Sequence, residues 1–365
     1  MRLRVFGRAL AAGLSTVMVA SVMLLITGGP AMARAATTAA GSSCTGTVTV
    51  NGPSVPMKIT RPGQTAKRTF CGKVGERISA VITNPVTSDQ GCETLTLTGP
   101  GPTNLSQFGC GNGNPVGVGP IDLTAPGVYT VRLQLDTTAT GHATLWVSKP
   151  VTLGTVGINK AAQPMNITRV GQGVQRTFTG KVGQRVSVVV TNVVTSDQGC
   201  ETLFLSGPGG MNMNQFACGN GNPIGIGPID LTAPGSYTIR LEADVVATAT
   251  SKLWVSTPRT VGTIGINGSA KPMNVIRVGQ GVQRTFKGRH GQQVSAVVTN
   301  VVTSDQGCET LTLFGPGGTN VSQFACGNGN PIGVGPVTLP ITGTYTVRFE
   351  VDTTATGHGS LRVSR

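Results

Sequence analysis

The sequence is poor in charged residues, aromatic rings and helical periodicity. Charged residues make up 12% of the 365 residues and aromatic residues 4%, whereas glycine occurs 53 times and proline 22 times. So much glycine and proline favours frequent turns and argues against long helices. After residue 40 the apolar residues come in short alternating runs and never in a stretch of 18 or more. No membrane span is therefore predicted in the body of the chain.

The first 35 residues have a different composition. Three arginines in the first eight residues precede an uncharged, mostly apolar run, and small-residue cleavage motifs follow up to Ala35. This order predicts a signal peptide over residues 1–35, a short N-terminal segment over 36–45 and a secreted, extracellular protein. An uncleaved membrane anchor is the alternative, because about twenty apolar residues can span a bilayer.

The net charge of +14 is a modest surplus for a chain of this length. Spread evenly, it implies weak attraction to anionic polymers such as acidic glycans and no dedicated nucleic-acid site. Export also argues against a nucleic-acid partner. The expected partner is an extracellular polymer or a cell-surface component, and the oligomeric state is left open.

Two motifs recur three times along the chain. Ser-Asp-Gln-Gly-Cys begins at Ser88, Ser196 and Ser304, a constant spacing of 108 residues, and Cys-Gly-Asn-Gly-Asn-Pro recurs at the same spacing. Repeat units of solenoids span some 20–50 residues, so this longer period indicates repeated whole domains. The predicted copies cover residues 46–153, 154–261 and 262–365, and no linker composition separates them.

Within each copy the apolar pattern has a period of two. Ile78, Ala80 and Ile82 alternate with more polar neighbours, and a later strand places Tyr129 and Val131 on one face. Seven or eight such short strands per copy, separated by Gly, Pro and Asn clusters, predict an all-β chain of three tandem antiparallel β-sandwich domains after the signal peptide.

Eight cysteines are present, and six of them form one pair per copy with a constant spacing of 18 residues. An exported chain meets oxidising conditions, so disulfides within each copy are the economical interpretation, and no histidine partner supports a metal site. The other two cysteines occur only in the first copy, where a bridge between them would hold its leading end. The predicted bridges are Cys44–Cys71, Cys92–Cys110, Cys200–Cys218 and Cys308–Cys326.

Three stretches of each copy resemble the bacterial pre-peptidase C-terminal domain. In the second copy they are Phe178–Gly183, Leu203–Gly210 and Ala233–Arg240. The resemblance implies a jelly-roll-like β-sandwich, a fold that in this family usually follows secreted hydrolase domains. It also implies that calcium or an extracellular matrix polymer is a ligand to consider, since some members bind them.

The sequence does not suggest an enzyme. Its three histidines do not recur at one position in all copies, and no repeated Ser/His/Asp set is available for a catalytic triad. Carboxylates do recur, and paired acids could serve a glycosidase. The simpler interpretation is that Asp89 lies in a turn and Glu93 begins a strand, both solvated. No catalytic residue and no cofactor are predicted.

Calcium is the one metal considered, because oxygen donors meet beside each disulfide. Asp89 and Glu93 lie near one cysteine, and Asn112 and Asn114 lie near the other. Hard cations prefer such ligands, although Asn-Gly-Asn is also ordinary turn chemistry. The carboxylates considered are Asp89, Glu93, Asp197, Glu201, Asp305 and Glu309.

The loop beside the disulfide is the candidate binding surface. It carries one aromatic ring and several amides in each copy, and the bridge would order them before a ligand arrives, which lowers the entropic cost of binding. The alternative is that the phenylalanine plugs the end of the sandwich. The candidates are Gln107, Phe108, Asn112, Asn114, Gln215, Phe216, Asn220, Asn222, Gln323, Phe324, Asn328 and Asn330.

These observations predict a secreted, non-enzymatic binding or structural module that holds an extracellular polymer by several weak contacts. An accessory partner of a separately encoded secreted hydrolase is the alternative. Recurring basic residues are a second candidate surface, for anionic polymers, or else protection of sheet edges. They are Arg68, Lys73, Arg176, Lys181, Arg284 and Arg289.

Overall fold

The computed structural model describes residues 44–365, which lie within one compact unit, Ser43–Arg365. These residues form 26 strands and a single 3₁₀ turn at Pro208–Gly210, which confirms the predicted all-β fold. None of their helical turns is long and apolar enough to cross a membrane. The predicted signal peptide and most of segment 36–45 lie outside the described residues.

The first copy folds into two four-stranded sheets, with strand orders β1-β8-β3-β6 and β2-β7-β4-β5. All neighbours in these sheets are antiparallel, and this eight-strand order is that of a jelly roll. The strands are β1 (Val55–Ile59), β2 (Thr65–Gly72), β3 (Arg77–Thr87), β4 (Cys92–Thr98), β5 (Asn104–Cys110), β6 (Val116–Asp122), β7 (Gly127–Leu135) and β8 (Gly141–Ser148).

The second copy repeats both sheets and adds a strand to one of them. Its sheets have the orders β10-β17-β12-β15 and β14-β13-β16-β11-β9, in which β9 pairs with β11 in parallel. The strands are β9 (Val151–Thr155), β10 (Gln163–Pro164), β11 (Val174–Gly180), β12 (Arg185–Thr195), β13 (Cys200–Gly207), β14 (Met211–Cys218), β15 (Ile224–Asp230), β16 (Gly235–Ala243) and β17 (Ala249–Ser256).

The third copy is built like the second. Its sheets have the orders β19-β26-β21-β24 and β18-β20-β25-β22-β23, with β18 and β20 parallel. The added strands β9 and β18 extend across the predicted copy limits at residues 153/154 and 261/262. The strands are β18 (Arg259–Thr263), β19 (Lys271–Val275), β20 (Val282–Gly288), β21 (Gln293–Thr303), β22 (Cys308–Phe314), β23 (Asn320–Cys326), β24 (Ile332–Thr338), β25 (Gly343–Val351) and β26 (Gly357–Ser364).

Each copy encloses its own hydrophobic core between its two sheets. Alternation decides which side chains enter the core, because successive residues of a strand point to opposite faces. On β7, Tyr129, Val131 and Leu133 are fully buried and their neighbours are not. The period-two pattern of the sequence therefore identified the inward face of these strands correctly.

A buried tyrosine fixes the start of β7 and of the equivalent strands β16 and β25. The Tyr129 ring stacks on Phe70 at 5.4 Å, and its hydroxyl donates to the Ala125 carbonyl at 2.6 Å. Gly72 and Gly99 lie against this ring, and a Cβ on Gly99 would come within 2.1 Å of it. Tyr237 and Tyr345 donate to the corresponding carbonyls at the same distance.

Candidate functional site

An exposed phenyl ring stands at the same place in each copy. Phe108, Phe216 and Phe324 lie on β5, β14 and β23, which are edge strands of their sheets. These side chains are 62%, 73% and 63% exposed. Each ring lies on the outer face of its sheet, opposite a threonine of the neighbouring strand. The alternative that the ring plugs the sandwich is therefore wrong.

The disulfide ties this edge strand to its neighbour. Cys92 on β4 and Cys110 on β5 are direct partners in the strand register, and the bridge joins them two residues from Phe108. The four predicted bridges are all formed, and the part of the chain that the structure describes has no free cysteine. Four bridges indicate an oxidising, extracellular type of environment.

The amides after the second cysteine are engaged within the loop. Asn112 accepts a hydrogen bond from the Thr87 backbone N–H at 2.7 Å and donates to the Thr87 carbonyl at 3.3 Å. Asn114 donates to the Cys110 carbonyl at 2.9 Å. The other two copies repeat these contacts. These asparagines shape the loop, and Gln107 is exposed but lies on the face of β5 opposite to the ring, because it pairs with the inward-facing Leu95.

Two carboxylates cap the turn that precedes the first cysteine. Asp89 accepts from the Gly91 N–H at 3.0 Å, and Asp136 accepts from the Cys92 N–H at 3.0 Å. A Cβ on Gly91 would lie 2.4 Å from the Asp136 carboxylate and 2.9 Å from that of Asp89, which is why this position is glycine. The turn expected around Asp89 is present, and both acids support backbone geometry.

Glu93 is not solvated, which corrects the interpretation made from the sequence. It shares the inward face of β4 with Leu95 and Leu97 and is 1% exposed. Neither carboxylate oxygen has a hydrogen-bond partner among the described residues. Burial, and to a lesser degree the charge of Asp136, raises the pKa of Glu93 to about 7. Glu201 and Glu309 are buried in the same way.

The donors considered for calcium do not fit one ion. Asp89 and Asn112 satisfy backbone N–H groups, while Glu93 faces the core. Within residues 44–365 no group of three or more His, Cys, Asp or Glu side chains is arranged to hold a metal ion.

The recurring basic residues do not form one binding stripe. Arg176 and Arg284 are 8% and 9% exposed, and Arg176 donates to the carbonyls of Leu153 and Pro164. They therefore fasten the leading segments of their copies. Lys181, which follows β11, is exposed and separate from them.

The absence of a linker indicates that neighbouring copies abut, but sequence reasoning did not identify the residues that are in contact. Val81 and Val189 are fully buried although they lie on the outer faces of β3 and β12, because the next copy covers them. The available signal was the run of apolar residues that interrupts alternation in these strands, which is typical of a strand buried on both faces.

No protein family matches the sequence, and no curated protein matches it. Among solved structures, the chain is similar to one from the lipid-containing bacteriophage PM2, with 9% identity over 85% of this chain and 99% of that chain and a TM-score of 0.18. It is also similar to a chain of Sulfolobus Turreted Icosahedral Virus, with 11% identity over 85% and 91% and a TM-score of 0.19. Likenesses at these TM-scores transfer no function.

Proposed function

We propose that this protein is a secreted, non-enzymatic module that binds an extracellular polymer through the three exposed phenylalanines. The observation that carries the proposal is the recurrence of Phe108, Phe216 and Phe324 on edge strands with most of each ring in solvent. Burying so much apolar surface in the core would stabilise the fold, so an exposed ring at the same place in each copy calls for a ligand.

A sugar polymer suits the chemistry of this surface. The ring offers an apolar face, and the exposed Ser106 hydroxyl, two residues away on the same face of β5, offers a donor and an acceptor. A pyranose presents a C–H face and hydroxyl groups that match both. The bridge between β4 and β5 keeps the strand ordered, which limits the entropy lost on binding.

Three equivalent sites on one chain favour a repetitive ligand. Once one ring is bound, the next binding event is intramolecular, and avidity exceeds the single-site affinity by about 10²–10⁴-fold where the spacing matches. Weak single contacts are therefore sufficient for retention on a polymer.

The test compares two triple variants of the full chain in co-sedimentation with insoluble peptidoglycan, cellulose and chitin. Phe108→Ala, Phe216→Ala and Phe324→Ala together should abolish retention at an unchanged melting temperature. The matched control replaces exposed valines of the other sheet, Val86, Val194 and Val302, by alanine and should be retained like wild type. Retention of the phenylalanine variant, or failure of wild type to bind any of the polymers, would overturn the proposal.

A further inference from the structure

In each of the first two copies, one sheet face is covered by the copy that follows it. Ser79, Val81 and Ser148 lie on the outer face of β3 and β8 and are 2% exposed or less. The backbone at Gly171 of the second copy comes so close that a Cβ there would lie 2.9 Å from Val81. A Cβ on Gly279 would meet the second copy at the same distance, so the two junctions are built alike.

A bidentate ion pair links the two copies at each junction. Arg77 donates from Nε and Nη2 to the two carboxylate oxygens of Glu242 at 2.6 and 3.0 Å. Arg185 and Glu350 form the same pair at 2.7 and 3.0 Å. Both glutamates are largely buried. Bidentate pairs of this kind fix geometry as well as adding energy, and they select the correct partner.

A tryptophan and an arginine form the second element of each junction. The guanidinium of Arg169 lies over the Trp146 ring at 4.9 Å, and that indole donates to Thr83. In the second junction Arg277 lies over Trp254 at 5.1 Å. Such stacking brings a cation to the negative face of the ring.

The third copy keeps the shape of this sheet face and lacks both elements. Gln293 stands where the first two copies have Arg77 and Arg185, and Arg362 stands where they have tryptophan. Ser295 and Val297, whose equivalents in the first two copies are buried, are half-buried here. No further copy covers this face within the described residues.

The first copy differs at the complementary positions. Gln134 replaces the glutamate of the two junctions, and Arg61 is equivalent to the stacking arginine. If the third copy met the first copy of another molecule in the junction geometry, Gln134 would face Gln293, and Arg61 would face Arg362. The bidentate pair would be absent and two guanidinium groups would stand together in place of the stacked ring.

We propose that these sequence differences between the copies prevent a second molecule of this chain from docking on the outer faces of the first and third copies. Head-to-tail contacts between identical units that do not close into a ring propagate as filaments, so a repeat protein with adhesive junctions needs such a barrier. Repulsion between like charges, together with loss of the correct pair, supplies it.

The test rebuilds the junction in the full chain at these positions. A variant with Gln134→Glu, Gln293→Arg and Arg362→Trp should self-associate end to end, about tenfold or more strongly than wild type, in sedimentation velocity over a range of concentrations. A variant with the pair in reversed polarity, Gln134→Arg, Gln293→Glu and Arg362→Trp, should associate as well.

The matched control carries like charges, with Gln134→Arg, Gln293→Arg and Arg362→Trp, and should stay as monomeric as wild type. Self-association of the two paired variants and not of the control supports the proposal. Equal behaviour of all three variants, or end-to-end association of wild type, overturns it. Binding of polymers through the phenylalanines is a separate readout and is not affected by either result.

Discussion

The first copy and the second copy close the same sheet edge in two different ways. In the second copy, residues 151–155 form β9 and run parallel to β11, with Thr152 opposite Gln175. In the first copy the leading residues reach the equivalent strand β2 from its other end, where Cys44 is bridged to Cys71. Two copies of the same repeat therefore receive their leading segments from opposite directions.

The leading segments of the two copies are held by different contacts, which explains why they arrive from different directions. Only two residues lie between β8 and β9, so the preceding copy fixes one end and Arg176 fastens the strand to its sheet. In the first copy, Thr47 donates to the Thr69 carbonyl at 2.8 Å, and the bridge at Cys44 replaces the added strand. The comparison indicates that a covalent bond takes the place of a neighbouring copy.

The largest expected effect comes from removing the bridge of the first copy. Cys44→Ser with Cys71→Ser opens a loop of 27 residues, which costs about 3–4 kcal/mol in the chain-entropy account. We expect the first transition in calorimetry to shift to a clearly lower temperature. If the transition does not move, contacts such as Thr47–Thr69 already hold the segment and the comparison fails.

A smaller effect should distinguish the arginines. Arg176→Ala leaves two carbonyls without their charged donor, which should cost about 2–3 kcal/mol. Arg68→Ala, the matched variant in the first copy, removes a more exposed side chain bonded to Pro56 and should cost about 1 kcal/mol or less. Denaturant titration of both full-length variants measures this, and equal losses would contradict the role assigned to β9.

The buried glutamates test a feature that all copies share. Because burial raises the pKa of Glu93 and Glu201 from 4.5 to about 7, folding favours the protonated form, and stability should fall as the pH rises from about 4.5 to about 7. Replacing Glu93, Glu201 and Glu309 by glutamine should raise the melting temperature at pH 8 and leave it unchanged at pH 4. An equal shift at both pH values would indicate packing rather than protonation.

The last variant is expected to have no effect, because a pair of cysteines introduced into the second copy should not form a bridge. Thr152 and Thr179 are equivalent in sequence to Cys44 and Cys71, yet Thr152 lies opposite Gln175, four residues from Thr179 along β11. At about 3.3 Å per residue the two sites are too far apart for a disulfide. Thiol labelling of the Thr152→Cys, Thr179→Cys variant should find both cysteines free, whereas a bridge would show that the leading segment can reverse its direction.

Local pattern predicted much of the fold, and long-range packing accounts for what it missed. Alternation placed Ile78 and Tyr129 in the core, and constant spacing paired the cysteines correctly, because both signals are set by strand geometry. Glu93 was misinterpreted because a carboxylate at the start of a strand is usually solvated. The direction from which each leading segment arrives depends on the neighbouring copy, which no local pattern records.

The placement of the candidate residues was predicted in part. The phenylalanine and the bridge were identified together, but whether the ring was exposed stayed open until the sheet edge was known, and Gln107 lies on the opposite face of the strand from the ring. Asn112 and Asn114 were expected on the binding surface, whereas their side chains form hydrogen bonds with backbone groups of Thr87 and Cys110. The arginine of the ion pair was missed because its partner lies 165 residues away, and the tryptophan was missed because its stacking partner belongs to the next copy.

The shortness of the connections between copies has a consequence for resistance to proteolysis. Only Lys149 and Pro150 separate β8 from β9, and two residues likewise separate β17 from β18. Proteases cut segments that can extend into their active sites, and such segments are found in exposed, mobile linkers. These connections are half-buried and bounded by strands on both sides. Digestion is therefore not expected to trim the chain into separate copies.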